Sequence, residues 1–271
     1  MLKQRVLTAL FIAPVIIAIT LYLPTAVFGV VLALVLALGA WEWAGLSGLE
    51  GTPRYSYTAT VLLVLGLLNR ILPQEPLIAL ILISLGVIWW SAAFLFVLAY
   101  PTGSTFFQSH AIRALTGVLV LLPAHTGLLL LHQGDPRAAL LVMVLVSFAD
   151  IGAYFAGRAF GRRKLAPRVS PGKTWEGLGG ALLLVLATGY AAARLLDIPD
   201  TVLAGFLGLC LVTVLASVVG DLTESMFKRM AGAKDSGQLL PGHGGVLDRL
   251  DSITAAAPVF ALGLIWLKVT T

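Results

Sequence analysis

The chain is short of charge. Eighteen basic and 13 acidic side chains make up only 11% of its 271 residues, whereas an ordinary soluble domain carries about 25%. A water-soluble fold of this length needs a charged outer surface, and so few charges cannot cover one. With 59% of residues hydrophobic, the surplus apolar surface must face lipid, which makes this a polytopic membrane protein. Cysteine is nearly absent as well. The single Cys210 excludes an intramolecular disulfide and any zinc site built on paired cysteines; it lies in an apolar run, where a thiol behaves as a small hydrophobe. There is no internal repeat, low-complexity tract or soluble domain. The net charge of +5 does not point to nucleic acid, because the basic residues fall between apolar runs rather than along one face.

What is present is a series of apolar runs. A bilayer-spanning helix needs roughly 20 mostly apolar residues, since its backbone polar groups must be satisfied internally. No Asp, Glu, Lys or Arg occurs from Val6 to Trp41 or from Pro76 to Ile112. The spacing predicts an all-α fold of about nine transmembrane helices: 6–22, 26–48, 57–72, 77–99, 114–132, 138–158, 177–196, 201–227 and 252–268. The third is diluted by Gly66, Asn69 and Arg70. The first begins like a signal peptide but has no small-x-small cleavage site after it, so it reads as a retained anchor. With the amino terminus in the cytoplasm, 14 of the 18 Lys and Arg residues fall on the cytoplasmic side, as the positive-inside bias requires.

Charge is concentrated in residues 150–176 and 221–251, on the same expected face, with 10 of the 18 basic and 7 of the 13 acidic side chains. This divides the chain into residues 1–140, a set of membrane helices, and residues 141–271, a half that carries chemistry.

In the first charged segment Ser147, Asp150, Tyr154 and Arg158 recur at helical spacing and make one face polar. A carboxylate within a membrane helix is costly, so Asp150 should meet a water-filled cavity, a cation or Arg158. Further on, Ser170-Pro-Gly-Lys173-Thr174 falls short of a phosphate-binding P-loop, because Pro167 stands where that motif needs glycine. Its hydroxyls, lysine and helix start still suit an anionic headgroup. The competing reading is a basic loop that sets topology and touches anionic lipid.

In the second segment Ser217, Asp221, Glu224, Ser225 and Lys228 form one stripe on the eighth expected helix. A loop from Ala231 to Leu247 follows with Lys234, Asp235, His243 and glycines at 232, 237, 242, 244 and 245; then comes Asp248-Arg249-Leu250-Asp251, with Asp248 and Asp251 on one face of the ninth expected helix's first turn. Mg2+ binds through one or two carboxylates plus substrate phosphates, and attack at phosphorus depends on the metal and on cationic groups that stabilise phosphate charge. Asp221 and Asp248, from two helices, would hold the metal. Lys228, Arg229, Lys234 and Arg249 would hold phosphates, with backbone N–H groups of the glycine-rich loop close by. A plain loop of compensating ion pairs is the alternative.

The run Ser225-Met-Phe-Lys228-Arg229 through Lys234-Asp235-Ser-Gly237 and Pro241-Gly-His243-Gly244-Gly245 to Asp248-Arg249-Leu-Asp251 resembles the signature of the phosphatidate cytidylyltransferases. Asp150 to Gly161 and Ser170 to Gly177 resemble the bacterial members too. The resemblance implies a nucleotidyltransferase that converts CTP and phosphatidate into CDP-diacylglycerol and pyrophosphate, in the inner membrane of a bacterium with the site facing the cytoplasm. It implies Mg2+, with room for a monovalent cation such as K+. On this reading Asp221 and Asp248 are the first metal ligands, followed by Asp251, Glu224 and Asp150. His243 joins Lys228, Arg229, Lys234 and Arg249 around CTP, while Arg168, Ser170, Lys173 and Thr174 meet the phosphatidate headgroup. A CTP-dependent polyprenol or dolichol kinase is the runner-up enzyme. A transporter would show inverted repeats and midplane charges, and neither is found. Gly205 and Gly208 allow close helix packing, within one subunit or across a homodimer.

Overall fold

The computed structural model describes residues 13–239 and 244–269. The elements in chain order are α1 (Ala13–Tyr22), α2 (Thr25–Leu46), α3 (Thr52–Ile71), α4 (Pro76–Leu98), a 3-10 turn (Thr102–Phe107), α5 (His110–Gly134) and α6 (Pro136–Phe160). There follow β1 (Lys164–Ala166), β2 (Ser170–Thr174), α7 (Trp175–Leu195), α8 (Asp200–Met230) and α9 (Leu247–Leu267). Every expected helix is matched by a helix where the residues are described; residues 6–12 of the first lie outside them. Among the described residues, seven helices are long and apolar enough to cross a membrane, from α2 and from α4 to α9. The protein is therefore all-helical in its main architecture and polytopic. The dilution of the third segment shows: α3 is helical but is not one of those seven.

Prolines mark three starts, at or next to the first position of α3, α4 and α6, where the missing N–H costs nothing. Thr174 caps α7, its hydroxyl oxygen accepting a hydrogen bond from the Gly177 N–H at 3.1 Å. Outward faces carry large aliphatic side chains such as Leu77, Ile88 and Leu95, each more than 60% exposed. In a bilayer these face lipid rather than water.

Two elements depart from the sequence expectation. Residues 164–174, expected as a loop, fold into an antiparallel hairpin with Lys164 opposite Thr174 and Ala166 opposite Ser170. The hairpin is too short to leave a period-two signal, and its charged residues mask what alternation it has. The ninth helix begins at Leu247, five residues before the expected 252. Its first turn is charged because it faces an internal polar site; hydropathy bounds the apolar span at 252, while Asp248 and Asp251 lie on the helix's first turn, as their spacing predicts.

One buried cluster joins α2 to α5 with the ends of α8 and α9; a second joins α5 to α9. α9 belongs to both and packs against α8, α5 and α4. At Gly220 a β-carbon would collide with the Asp251 carbonyl oxygen. That close approach sets the acidic ends of α8 and α9 side by side. Beneath them Phe227 packs against Trp43 and Phe107, with ring centroids 5.0 Å apart in each pair.

Candidate functional site

The two charged segments meet. The stripe on α8 turns Asp221, Glu224 and Lys228 toward the first turn of α9, and β2 brings Lys173 in from the hairpin. Lys228 Nζ lies 2.7 Å from Asp248 Oδ1 and 3.1 Å from Glu224 Oε1. Lys173 Nζ lies 2.8 Å from Asp221 Oδ2. Asp248 also accepts from the backbone N–H of Gly245 at 2.7 Å and of Ser236 at 3.0 Å. Asp221 accepts from the Ser225 hydroxyl at 3.3 Å.

Acidic groups crowd these lysines. Asp251 is within electrostatic reach of Asp221, Lys228 and Lys173. Asp150, from α6, is within reach of Lys173, Asp221 and Arg249. The Asp150–Arg158 pair weighed from sequence does not form: among the described residues Arg158 instead donates from its guanidinium to the Tyr154 hydroxyl at 2.9 Å. Glu224 is 2% exposed; among the described residues its Oε1 meets the Lys228 ammonium, and its Oε2 has no hydrogen-bond partner. It faces Asp251 and Asp248, with only the Lys228 charge to offset them.

Five carboxylates around two lysines, one of them buried with a lysine against a single oxygen, suit a divalent cation: bound positive charge is the largest local term that relieves like-charge crowding. Among the described residues no three His, Cys, Asp or Glu side chains converge as a ready-made cage. Mg2+ keeps waters and takes substrate phosphates as ligands, so it does not require such a cage. The donor set therefore fits.

The remaining expected residues are arranged around this centre. Thr174 is buried and serves as the α7 cap, while Ser170 opens β2. Arg168 is exposed at the turn of the hairpin. The Arg229 guanidinium is directed to backbone, donating to the Ala233 carbonyl at 3.3 Å and the Val169 carbonyl at 3.5 Å, so it ties the hairpin to the end of α8. Lys234 is exposed in the loop and Arg249 is exposed on the first turn of α9. His243 lies outside the described residues.

A cavity of about 410 Å3 opens beside the cluster, lined by Asp150, Tyr154, Arg158, Lys173, Thr174 and Ser217 among others. Next to it runs an apolar groove of about 820 Å3 walled by α4, the hairpin, α7 and α8. Leu165, Leu178 and Val218 line both.

Sequence reasoning missed Glu42. It lies on α2, is 1% exposed, and reaches the site from the other half of the chain. It accepts hydrogen bonds from the Leu247 N–H at 2.7 Å, the Val246 N–H at 3.0 Å and the Ser236 hydroxyl at 3.0 Å. A signal existed: Glu42 is an acid inside an expected membrane helix, and such residues default to a polar partner.

The profile of the cytidylyltransferase family matches residues 3–266. A phosphatidate cytidylyltransferase of Pseudomonas aeruginosa is 48% identical over 270 residues, covering 98% of this chain and 97% of that protein. One from Haemophilus influenzae is 42% identical over 285 residues, covering 96% and 98%. One from Bacillus subtilis is 46% identical over 120 residues, covering 42% of each.

Proposed function

The chain belongs to the cytidylyltransferase family, and from that premise we propose that it transfers CMP from CTP to phosphatidate, leaving CDP-diacylglycerol in the membrane and releasing pyrophosphate. The observation that carries the reading is the shared wall between a charged cavity and an apolar groove. A reaction between a water-soluble triphosphate and a lipid phosphate needs such a junction, with acyl chains in hydrocarbon and the phosphates together at its edge.

In this reaction a phosphatidate oxygen attacks the α-phosphorus of CTP. A new P–O bond forms, the bond to the bridging oxygen of the β-phosphate breaks, and its electron pair leaves with pyrophosphate. The nucleophile is already anionic, so no strong general base is required. The protein's part is positioning and charge neutralisation.

Lys173, with Arg168, Ser170 and Thr174, is placed to hold the lipid phosphate. Lys228, Arg229, Lys234, His243 and Arg249 are assigned to the triphosphate. Both lysines hold carboxylates in the free protein, so substrate phosphates would compete with Asp221 and Asp248 for them. Asp221 and Asp248, backed by Asp251, Glu224 and Asp150, would hold Mg2+, with a monovalent cation such as K+ beside it. When bound, the metal draws electron density from the phosphoryl oxygens and offsets the charge on the leaving group. On this reading residues 141–271 form the catalytic half, the amino terminus and the site face the cytoplasm, and the membrane is a bacterial inner membrane. The positive-inside count supports that orientation. Gly205 packs against Leu267 of the same chain, while the open space at Gly208 leaves room for a homodimer contact.

The test is incubation of purified protein with labelled CTP and phosphatidate, with and without Mg2+. Metal-dependent CDP-diacylglycerol and pyrophosphate are expected. Release of CDP with a phosphorylated lipid would replace the proposal with a lipid kinase.

A further inference from the structure

A buried carboxylate within a membrane helix is costly unless its hydrogen bonds are satisfied. Among the described residues Glu42 has three donors, all about 200 residues away in the chain: the Ser236 hydroxyl and the Val246 and Leu247 N–H groups. The last two open α9, the helix that carries Asp248 and Asp251. A carboxylate there meets the positive end of the helix dipole.

The same segments are held from their other side by Asp248. Ser236 is shared between the two acids, its N–H going to Asp248 and its O–H to Glu42. Gly245 donates to Asp248 and the next two residues donate to Glu42. Two glycines make the contact possible. A β-carbon at 237 would collide with the Glu42 carboxylate, and one at 245 would sit 2.6 Å from Glu42 Oε1. The backbone therefore lies directly against this side chain.

We infer that Glu42 is a positioning residue for the transfer reaction: from the amino-terminal half it clamps Ser236 and the start of α9, and so holds Asp248 and its partner Lys228 in register with the rest of the site. The inference rests on the proposed cytidylyltransferase activity. Glu42 touches no reacting atom; its effect runs through the loop.

Glu42→Gln keeps the shape but turns one acceptor into a donor facing a donor. Turnover should fall roughly tenfold or more, as expected for a buried polar group left unmatched. The apparent KM for CTP should rise at least about threefold while that for phosphatidate stays within about twofold. Simple loss of folded molecules lowers turnover without that split. A nitroxide on Gln238→Cys, in a Cys210→Ala background, should become more mobile when Glu42→Gln is added, with no substrate present. Unchanged turnover or an unchanged spectrum in Glu42→Gln would overturn the inference. Should Glu42→Gln fail to accumulate in membranes, Ser236→Ala serves instead: a several-fold turnover loss with a freer nitroxide supports the clamp, and behaviour like the parent protein refutes it. A parent protein that makes no CDP-diacylglycerol would defeat the proposed activity, whereas the nitroxide arm would still report on the clamp.

Discussion

Two lysine–carboxylate pairs stand within one site and differ in how they are enclosed. Lys173–Asp221 is open: its side chains are 25% and 27% exposed, it borders the cavity, and Asp221 also accepts from the Ser225 hydroxyl. Lys228–Asp248 is closed: both side chains are 10% exposed, Lys228 also faces buried Glu224, and Asp248 is held by two backbone N–H groups. An open pair can exchange its partner for an incoming phosphate at little cost. A closed pair is part of the framework, because removing one member leaves the other as an uncompensated buried charge. On the proposed reading the hairpin side gives up its partner to substrate readily, whereas a triphosphate reaching Lys228 must displace a pair that also fixes the α8–α9 geometry.

The sharpest break would come at Asp248. Asp248→Asn should abolish turnover at any CTP concentration, a loss of at least about 100-fold, and should lower stability by about 3 kcal/mol, read as a fall in the thermal midpoint in detergent. Asp221→Asn should cost turnover on the same scale, yet shift stability by about 1 kcal/mol or less because its pair is partly solvated. Equal destabilisation by the two variants would erase the distinction between open and closed pairs, and substantial residual turnover would remove that aspartate from the metal site. Lys173→Ala should raise the KM for phosphatidate roughly tenfold while that for CTP changes less than about twofold. Equal loss for both substrates would contradict the division of labour. The smallest effect is expected from Thr174→Ala, which removes the α7 cap next to Lys173. A stability loss of about 1 kcal/mol, with a minor rise in phosphatidate KM, would sharpen the view that the cap steadies the open side.

Much of this was legible from residues alone. The positions of the helices follow from hydropathy, since a membrane demands long uninterrupted apolar segments, and the two charged segments declared themselves by being exceptions. The Ser225–Asp251 pattern pointed to the family on its own. Less legible was how charges are partnered. Arg158 was weighed as the partner of Asp150 because they are two turns apart on one helix, but the guanidinium turns to Tyr154 instead. Nor does the pattern show that Arg229, assigned to the triphosphate, donates in the free protein to carbonyl oxygens of the hairpin and loop. The role of Glu42 leaves no local pattern, because its partners lie about 200 residues away.

Composition and periodicity, by themselves, settled that this chain lives in a bilayer and which stretches carry its polar chemistry. Both are properties of local sequence: transfer free energy adds along a segment, and helical spacing puts charges on a common face. The fold alone decided which acid meets which lysine, that the loop after α8 is clamped by a carboxylate from α2, and that a charged cavity shares a wall with an apolar groove. Those outcomes depend on how closely helices approach, as at Gly220 against Asp251, and packing between distant segments is not written in any one of them.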